Sequence, residues 1–174
     1  AKDISQKKRS AEILRESQSN LEAIFQSSSE GFILIGLDGV IKSFNPIAKD
    51  MMRLNTFKEM NLGDSIYRFI PPSDIETYRK IVARVMTGER SVSDNPYPRE
   101  NGEVKWFAHS MNPVVWNGVI KGTTINSVDI TERKKAERNL QASESNLLAV
   151  IENTDAFIYS LDRDLRYVTY NTKL

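Results

Sequence analysis

One stretch of the sequence occurs twice, and this repeat constrains the fold more than any other feature. The first copy, DISQKKRSAEILRESQSNLEAIF, begins at Asp3, and the second, DITERKKAERNLQASESNLLAVI, begins at Asp129. The copies align without a gap at a spacing of 126 residues, so that the Ser-Asn-Leu at 19–21 recurs at 145–147. A fixed spacing of this kind is typical of proteins built from recurring structural units.

A pair of strand-like runs follows each copy of the repeat. GFILIGLDGVIKSFN ends at Asn45, and AFIYSLDRDLRYVTYN ends at Asn171, 126 positions later. Inside the runs the alignment gives smaller spacings, which we interpret as variation in loop length: 125 for Phe32 and Phe157, and 124 for Asp38 and Asp162. The repeat predicts four segments: the tail of a preceding unit with a linker helix (1–18), a complete domain (19–130), a second linker helix (131–152) and the truncated start of another unit (153–174).

The repeated stretch predicts a helix with an apolar stripe. The members of the stripe in the two copies lie at heptad spacing: Leu14, Leu21 and Phe25, and Ile130, Leu140, Leu147 and Ile151. Two structures fit such a stripe, a helix that packs on its own domain and a helix that pairs with a second copy of the chain. We predict pairing, and hence a homodimer, because the polar residues Gln18 and Glu144 lie in the seam, where a fully packed helix would prefer apolar residues.

The segment between the repeats predicts a mixed domain. After the first hairpin come a helix capped by Asn45, a short helical piece in SIYRFIPP and an amphipathic helix in SDIETYRKIVARVMTGE. A polar stretch through Gly102 leads to the strand VKWFAHSMNPVVW, an Asn117-Gly118 turn and the strand VIKGTTINSV. We read the order as β-β-α-α-α-β-β-β. This order predicts an α+β fold, with a five-stranded antiparallel sheet, short helices on one face and a linker helix on each side.

Composition excludes several classes of protein. A formal net charge of +1 over 174 residues gives no case for a nucleic-acid partner. The absence of cysteine excludes disulfides, thiolate metal sites and thiol catalysis, and it fits a cytoplasmic location. The longest apolar run, GFILIGL, is far shorter than the roughly 20 residues of a membrane-spanning helix, and we find no signal peptide. We therefore predict no membrane contact.

The element order and several phrases resemble the PAS domain family. The phrases are GLDGVIKSFNPIA, MTGE, ENGEVKWFAHSMNPV and SVDITERKKAE. The last is the most specific, since it resembles the C-terminal (PAC) motif that joins a PAS domain to the next module in bacterial and archaeal sensor proteins. The resemblance covers about Leu21 to Glu137. It implies the PAS fold and a sensory module that holds a small molecule or dimerises, although a fold alone does not fix a function.

The resemblance also identifies which cofactors the residues permit. Flavin photochemistry of the light-oxygen-voltage type needs a cysteine, which the chain lacks. Oxygen-sensing haem domains take their axial histidine from the long helix, and Ser73–Gly88 contains none. His109, the only histidine, lies in a predicted strand, unlike the helical phosphoacceptor of a histidine kinase. We predict no cofactor, metal or catalytic residue, while non-covalent flavin and an unidentified small ligand stay open.

Alternation along the strand at 104–116 gives two faces, and periodicity does not choose between them. By resemblance to flavin- and haem-binding members, the face that carries His109 lies toward the helices. The pocket candidates are Ile33, Ile35, Ile81, Val85, Phe107, His109, Met111, Thr123, Ile125 and Ser127. The alternative is that these residues fill the core completely. Trp106 would then lie on the outer face, where we expect cover from the N-terminal helix, alone or in a dimer.

We interpret the chain as a PAS sensor module of a multi-PAS signalling protein. A sensor histidine kinase is the commonest host of such arrays, and the partners would be the neighbouring PAS units and the output domain of the same parent chain. Two alternatives are a sensor attached to a cyclic-dinucleotide enzyme or chemoreceptor, and a ligand-free dimerisation or spacer module. A spacer should have a filled core, whereas a sensor should have a cavity or a bound molecule.

Overall fold

The computed structural model describes residues 2–99 and 101–171, with side chains from residue 8 onward, and it divides into two compact units, Ala1–Ile130 and Thr131–Leu174. The first unit contains α1 (Lys2–Ser27), β1 (Gly31–Gly36), β2 (Ile41–Phe44), α2 (Pro46–Thr56), two 3-10 turns (Ile66–Phe69 and Pro72–Asp74), α3 (Ile75–Val85), β3 (Ser91–Pro98), β4 (Val104–Trp116) and β5 (Val119–Asp129). The second unit contains α4 (Thr131–Asn153), β6 (Tyr159–Leu161) and β7 (Tyr167–Tyr170).

The first unit is an antiparallel sheet of five strands in the order β2-β1-β5-β4-β3. Tight turns join the strands of each of the two hairpins that the sequence predicted. Gly39 adopts φ +72° in the first turn, and Asn117 and Gly118 adopt φ +51° and +74° in the turn between β4 and β5. Positive φ at both central residues is the geometry that favours Asn-Gly in hairpins. The predicted α+β fold with a five-stranded antiparallel sheet is confirmed.

The strand β3 is the one that the sequence did not locate, because it lies inside the polar stretch before Gly102. Pro96 and Pro98 argue against a strand in the interior of a sheet, but β3 is an edge strand, where proline is tolerated. Residues on the strand alternate between half-buried and exposed positions. It pairs with β4 so that Ser93 lies opposite His109.

The helices and 3-10 turns cover one face of the sheet and enclose the core. Asn45 caps α2 as predicted, since its side-chain oxygen accepts a hydrogen bond from the Ala48 N–H at 3.0 Å. The helix α3 buries Val82 and Val85 of its predicted stripe. The hydrophobic core consists of Ile33, Ile35, Ile41, Ala48, Met60, Ile66, Phe69, Val82, Val85, Met111 and Ile125. The inner face of the sheet and the helix layer therefore form one continuous core.

The linker helices expose much of their predicted stripe. Leu14 and Leu21 of α1 are 60% and 65% exposed, so α1 does not bury its stripe on its own domain within the described residues. Phe25 is half-buried, with its ring centroid 6.1 Å from that of Phe32. In the second unit, Leu140 and Leu147 are exposed and Ile151 is half-buried. No helix in the described ranges is both long and apolar enough to cross a membrane.

The heptad assignment of Ile130 to the second linker helix is wrong. Ile130 directly precedes α4, is only 8% exposed, and donates its backbone N–H to the carbonyl of Trp106 at 2.8 Å. Its backbone is therefore bonded to β4 of the first unit, one residue before α4 begins. Trp106 itself is half-buried and lies opposite Pro96 on β3.

The two short hairpins, β1–β2 and β6–β7, repeat each other at a constant spacing of 126. The register pair Ile33–Phe44 recurs as Tyr159–Tyr170. In both hairpins the pairing register shifts after the next pair, between Leu34 and Ile35 in the first and between Ser160 and Leu161 in the second. The turn bond from the Gly36 N–H to the Val40 carbonyl, 2.9 Å, recurs from the Asp162 N–H to the Arg166 carbonyl at the same length. The spacings of 125 and 124 that the sequence alignment gave are therefore wrong. Pairing identical residues, Phe32 with Phe157 and Asp38 with Asp162, shifts the alignment by one and two positions from the structural equivalence.

Candidate ligand-binding site

A cavity of about 760 Å³ lies between the helices and the inner face of the sheet. Small-molecule sites typically occupy roughly 300–1,000 Å³. Much of the cavity wall is apolar and comes from β1, α2, the 3-10 segment, α3, β4 and β5: Ile33, Ala48, Met51, Met52, Ile66, Phe69, Ile70, Ile81, Met111 and Ile125. The wall on the side of β3 is polar, since Ser91, Ser93, Asn95 and Tyr97 line it.

Two charged groups, Lys58 and Asp74, are among the lining residues, and both are exposed at the surface of the protein. The Lys58 ammonium donates to the carbonyl of Arg68 at 2.6 Å, and the Asp74 carboxylate accepts from the Ser73 hydroxyl at 2.9 Å. Within the described part of the chain, no three His, Cys, Asp or Glu side chains come together to form a possible metal site. The interior of the cavity therefore suits an uncharged molecule, because a buried charge would find no partner of opposite sign.

A chain of three hydrogen-bonded side chains crosses the sheet at the wall of the cavity. The imidazole of His109 on β4 is bonded through Nε2 to the Tyr97 hydroxyl on β3 at 3.0 Å and through Nδ1 to the Ser127 hydroxyl on β5 at 2.8 Å. The ring of Phe107 stacks on the imidazole with a centroid distance of 6.3 Å. Strand pairing fixes this arrangement, since His109 lies directly opposite Ser127 in the β4–β5 register.

Burial controls the protonation of this chain. It lowers the pKa of His109 below its ordinary value, and the nearby carboxylate of Asp94 opposes the shift in part. Burial likewise raises the pKa of the Tyr97 hydroxyl. The pKa of Tyr78, which also lines the cavity, is raised by burial and by the neighbouring Tyr67 and Tyr97. All three groups are therefore neutral at pH 7, which leaves the interior polar but uncharged.

The family model that describes the PAS fold matches residues 25–135, more than half of the 174-residue chain. The chain belongs to the PAS family. Members of this family are typically non-catalytic sensory modules. A search of the curated proteins finds no match.

Several solved structures share the PAS fold. The PAS domain of a protein from Colwellia psychrerythraea is 16% identical, with a TM-score of 0.52, over 66% of this chain and 98% of that one. The PAS domain of BvgS from Bordetella pertussis is 17% identical, with a TM-score of 0.51, over 76% of this chain and 98% of that one. A VqmA dimer from Vibrio cholerae is 17% identical, with a TM-score of 0.54, over 66% of this chain and 52% of that one. At such identities the likeness concerns the fold alone.

The cavity of this PAS domain includes six of the ten pocket candidates: Ile33, Ile81, His109, Met111, Ile125 and Ser127. The other four, Ile35, Val85, Phe107 and Thr123, are buried but are not among its lining residues. Two of them, Ile35 and Thr123, are paired across β1 and β5, and Ile35 belongs to the same core cluster as Val85 of α3. There the Thr123 hydroxyl contacts the sulfur of Met86, directly after α3, at 3.7 Å. Packing fills this end of the PAS core, and the cavity lies toward the other end.

Sequence reasoning missed the contributions of β3 and α2 to the cavity. The inward residues of β3 are mostly polar, so hydrophobic alternation did not reveal the strand. The predicted element order already included a strand between α3 and β4, but the polar pattern gave no position for it. On α2, Met51, Met52, Asn55 and Thr56 line the cavity, and the amphipathic pattern of that helix identifies its buried side without showing that a cavity lies there.

The buried side chain of Asn45 joins the first linker helix to the part of the PAS domain that encloses the cavity. It is 0% exposed and accepts hydrogen bonds from the N–H groups of Phe32, at 2.9 Å, and Ala48, at 3.0 Å. Its amide donates to the carbonyls of Phe25, at 3.1 Å, and Glu30, at 2.7 Å. Four bonds from one side chain therefore tie the last turn of α1, the first strand and the start of α2 together.

Proposed function

We propose that this PAS domain is a sensor that binds an uncharged small molecule in the cavity beneath its sheet and relays the binding event through its linker helices. The observation that carries the proposal is the cavity of about 760 Å³ with an apolar wall and a neutral polar strand. A ligand-free spacer has no need of a cavity of this size, since filling it with side chains would stabilise the fold. We therefore prefer a sensor to a spacer.

The relay begins at α2, which supplies part of the cavity wall. A ligand that displaces Met51 or Met52 shifts a helix whose first turn is bonded to Asn45. Because the same side chain donates to the carbonyl of Phe25, the shift reaches the last turn of α1 through one residue. Arg99 adds a second connection, since its guanidinium donates to the Leu54 carbonyl and to the Asn55 side chain at the other end of α2. The helix is thus bonded at both ends.

The exposed stripe of α1 supports a second element of the function, the pairing of two copies through their linker helices. Leu14 and Leu21 lie seven residues apart and are 60% and 65% exposed, as expected for a parallel or antiparallel helix pair. Replacing both with Glu should give a folded monomer by light scattering. A dimer of unchanged mass would place the contact elsewhere.

We propose that the parent protein carries several PAS units and a signalling output, with a sensor histidine kinase as the first candidate. The repeated hairpin supports the first part, because β6–β7 repeats the bonds of β1–β2 at a spacing of 126 residues. The kinase rests on the resemblance of the exit motif to those of sensor proteins. A cyclic-dinucleotide enzyme or a chemoreceptor would carry the same module, and sequencing of the parent gene distinguishes these hosts.

Native mass spectrometry of freshly purified protein tests the sensor directly. We expect a mass increment from a small organic molecule that is lost on denaturation, and a dimer as the main species. We also expect no visible absorbance, since the residues give no covalent flavin or haem attachment of the types considered. A domain that stays free of added mass and fails to bind any compound of a metabolite extract would favour the spacer function.

A further inference from the structure

The hydrogen-bond chain Tyr97–His109–Ser127 determines what kind of molecule the cavity accepts. A neutral imidazole has one N–H donor and one acceptor nitrogen, whereas each hydroxyl has one proton to donate. Both partners of the His109 ring are hydroxyls, at 3.0 Å for Tyr97 and 2.8 Å for Ser127. One hydroxyl must therefore donate to the ring, and the other must accept from it.

This count leaves one hydroxyl proton without a partner in the chain of three. The hydroxyl that accepts from the ring keeps its own proton, whichever tautomer the ring adopts. Neither Tyr97 nor Ser127 makes another side-chain hydrogen bond within the described residues, and both line the cavity. The wall of the cavity therefore presents one hydroxyl donor at this position, on β3 or on β5 according to the tautomer.

The surroundings keep the ring in its neutral form. The groups that face it are Tyr97 on β3, Ser127 on β5 and the ring of Phe107 on its own strand, whereas the carboxylate of Asp94 is exposed and acts on the ring only as a charge at a distance. Burial outweighs the influence of Asp94, so the pKa of His109 is lowered. The count of protons above therefore applies at pH 7.

We infer that the cavity selects an uncharged molecule with an apolar body and a strong hydrogen-bond acceptor, a carbonyl oxygen or an aromatic ring nitrogen, which accepts from the free hydroxyl of Tyr97 or Ser127. The inference rests on the proposed sensor function and specifies its ligand. The apolar body packs on the methionine and isoleucine wall, and the acceptor lies at the polar wall formed by β3 and β5. A charged ligand is disfavoured, because Lys58 and Asp74 are exposed at the surface.

A matched pair of probes tests this chemistry. Acetophenone carries a carbonyl acceptor, and α-methylstyrene has nearly the same shape with a CH₂ group in place of the oxygen. Their affinities are measured by ligand-observed NMR for the wild-type protein and for the triple variant Tyr97→Phe, His109→Phe and Ser127→Ala, since the imidazole N–H would otherwise remain as a donor. Because a neutral hydrogen bond contributes about fivefold to an affinity, the triple variant should bind acetophenone about fivefold more weakly. Its affinity for α-methylstyrene should stay within about twofold of wild type.

The outcomes separate the inference from the function on which it rests. Equal binding of acetophenone by the wild type and the triple variant overturns the inference and leaves the sensor function standing. Binding of neither probe at millimolar concentration overturns both. If the triple variant does not fold, the infrared carbonyl stretch of acetophenone bound to the wild type decides, since a hydrogen bond lowers its frequency below that in hexane, and an unshifted band overturns the inference. Benzoate, a charged analogue of similar shape, should bind at least tenfold more weakly than acetophenone, and equal binding would contradict the requirement for an uncharged molecule.

Discussion

The hairpins β1–β2 and β6–β7 have the same backbone hydrogen bonds but very different surroundings. Asn45 closes the first and Asn171 closes the second, and both side chains are 0% exposed. Asn171 accepts from the Ile158 N–H at 3.1 Å and donates to the carbonyls of Ile151 and Ala156, each at 3.0 Å. Yet every residue of β6 and β7 is exposed, whereas β1 lies inside a five-stranded sheet.

The difference shows that local sequence determines the geometry of the hairpin and that the rest of the sheet determines its burial. In both hairpins the asparagine at the end of the second strand is bonded to the preceding helix end, the loop and the start of the first strand. Only the pairing of β1 with β5, and the packing of α2 and α3 on its inner face, convert that arrangement into a hydrophobic core. Isolated two-stranded hairpins are marginally stable in water. We therefore expect the two units to respond differently to equivalent changes.

The largest effect should come from Asn45→Ala. It leaves two N–H groups and two carbonyls without their partner in a buried site, which should lower the free energy of unfolding by about 3–5 kcal/mol. Both tryptophans, Trp106 and Trp116, lie in the first unit, so denaturant unfolding followed by tryptophan fluorescence reports that unit alone. The matched variant Asn171→Ala should leave this transition unchanged. A comparable shift in both variants would mean that the two units do not unfold separately.

A second change disturbs the pairing of β1 with β5, which has no counterpart in the second hairpin within the described residues. At Gly122 of β5 an added Cβ would lie 2.2 Å from the carbonyl oxygen of Ile35 on β1, so Gly122→Ala must displace one strand. We expect a loss of about 2–3 kcal/mol in the same fluorescence assay. Gly36→Ala is the control, since its Cβ would meet only the ends of the Asp38 and Lys42 side chains, and Asp162 occupies the equivalent position of the second hairpin. Equal losses in the two variants would show that strand spacing is not the cause.

A third pair of variants changes the turn residue at the same position of each hairpin. Gly39 at φ +72° corresponds to Leu165 at φ +61°, a conformation that costs a residue with a side chain roughly 1 kcal/mol. Leu165→Gly should therefore stabilise β6–β7 by about 1 kcal/mol, and Gly39→Ala should destabilise the first unit by about the same amount or more, because its Cβ would approach Tyr67 to 3.0 Å. Amide hydrogen exchange of Asp162 and Arg166 measures the first effect. Faster exchange in Leu165→Gly would contradict it.

The smallest effect concerns pH, and it distinguishes the units because the only histidine lies in the first. The pKa of His109 is lowered on folding, so the unfolded chain binds a proton at a higher pH than the folded one. The free energy of unfolding of the first unit should be constant above about pH 6.5 and should fall as the pH decreases from there toward the folded pKa. His109→Gln should remove this part of the pH dependence. A curve of unchanged shape would assign the dependence to carboxylates.

Much of the fold could be predicted from the sequence because its signals are local. The Asn-Gly and Asp-Gly turns, the Asn45 cap and the apolar stripe of α3 each depend on neighbouring residues. What could not be predicted depends on contacts distant in sequence. The edge strand β3 looked like a loop because its inward residues face a cavity rather than a core, and that cavity exists only where β3, α2 and α3 meet. The role of His109 likewise required Tyr97 and Ser127, which the register alone brings to its two sides.

The position of β3 at the edge of the sheet has a consequence for a chain whose hairpins recur. Neighbouring copies of similar sequence are held at high local concentration, and an open strand edge could then pair with the wrong copy during folding. Pro96 and Pro98 have no N–H to offer an incoming strand, and the carboxylate of Asp94 lies exposed between Val92 and Pro96. Prolines and charges on an edge prevent such pairing. The same residues that hid this strand from sequence analysis therefore keep the open edge of the sheet from pairing with another strand.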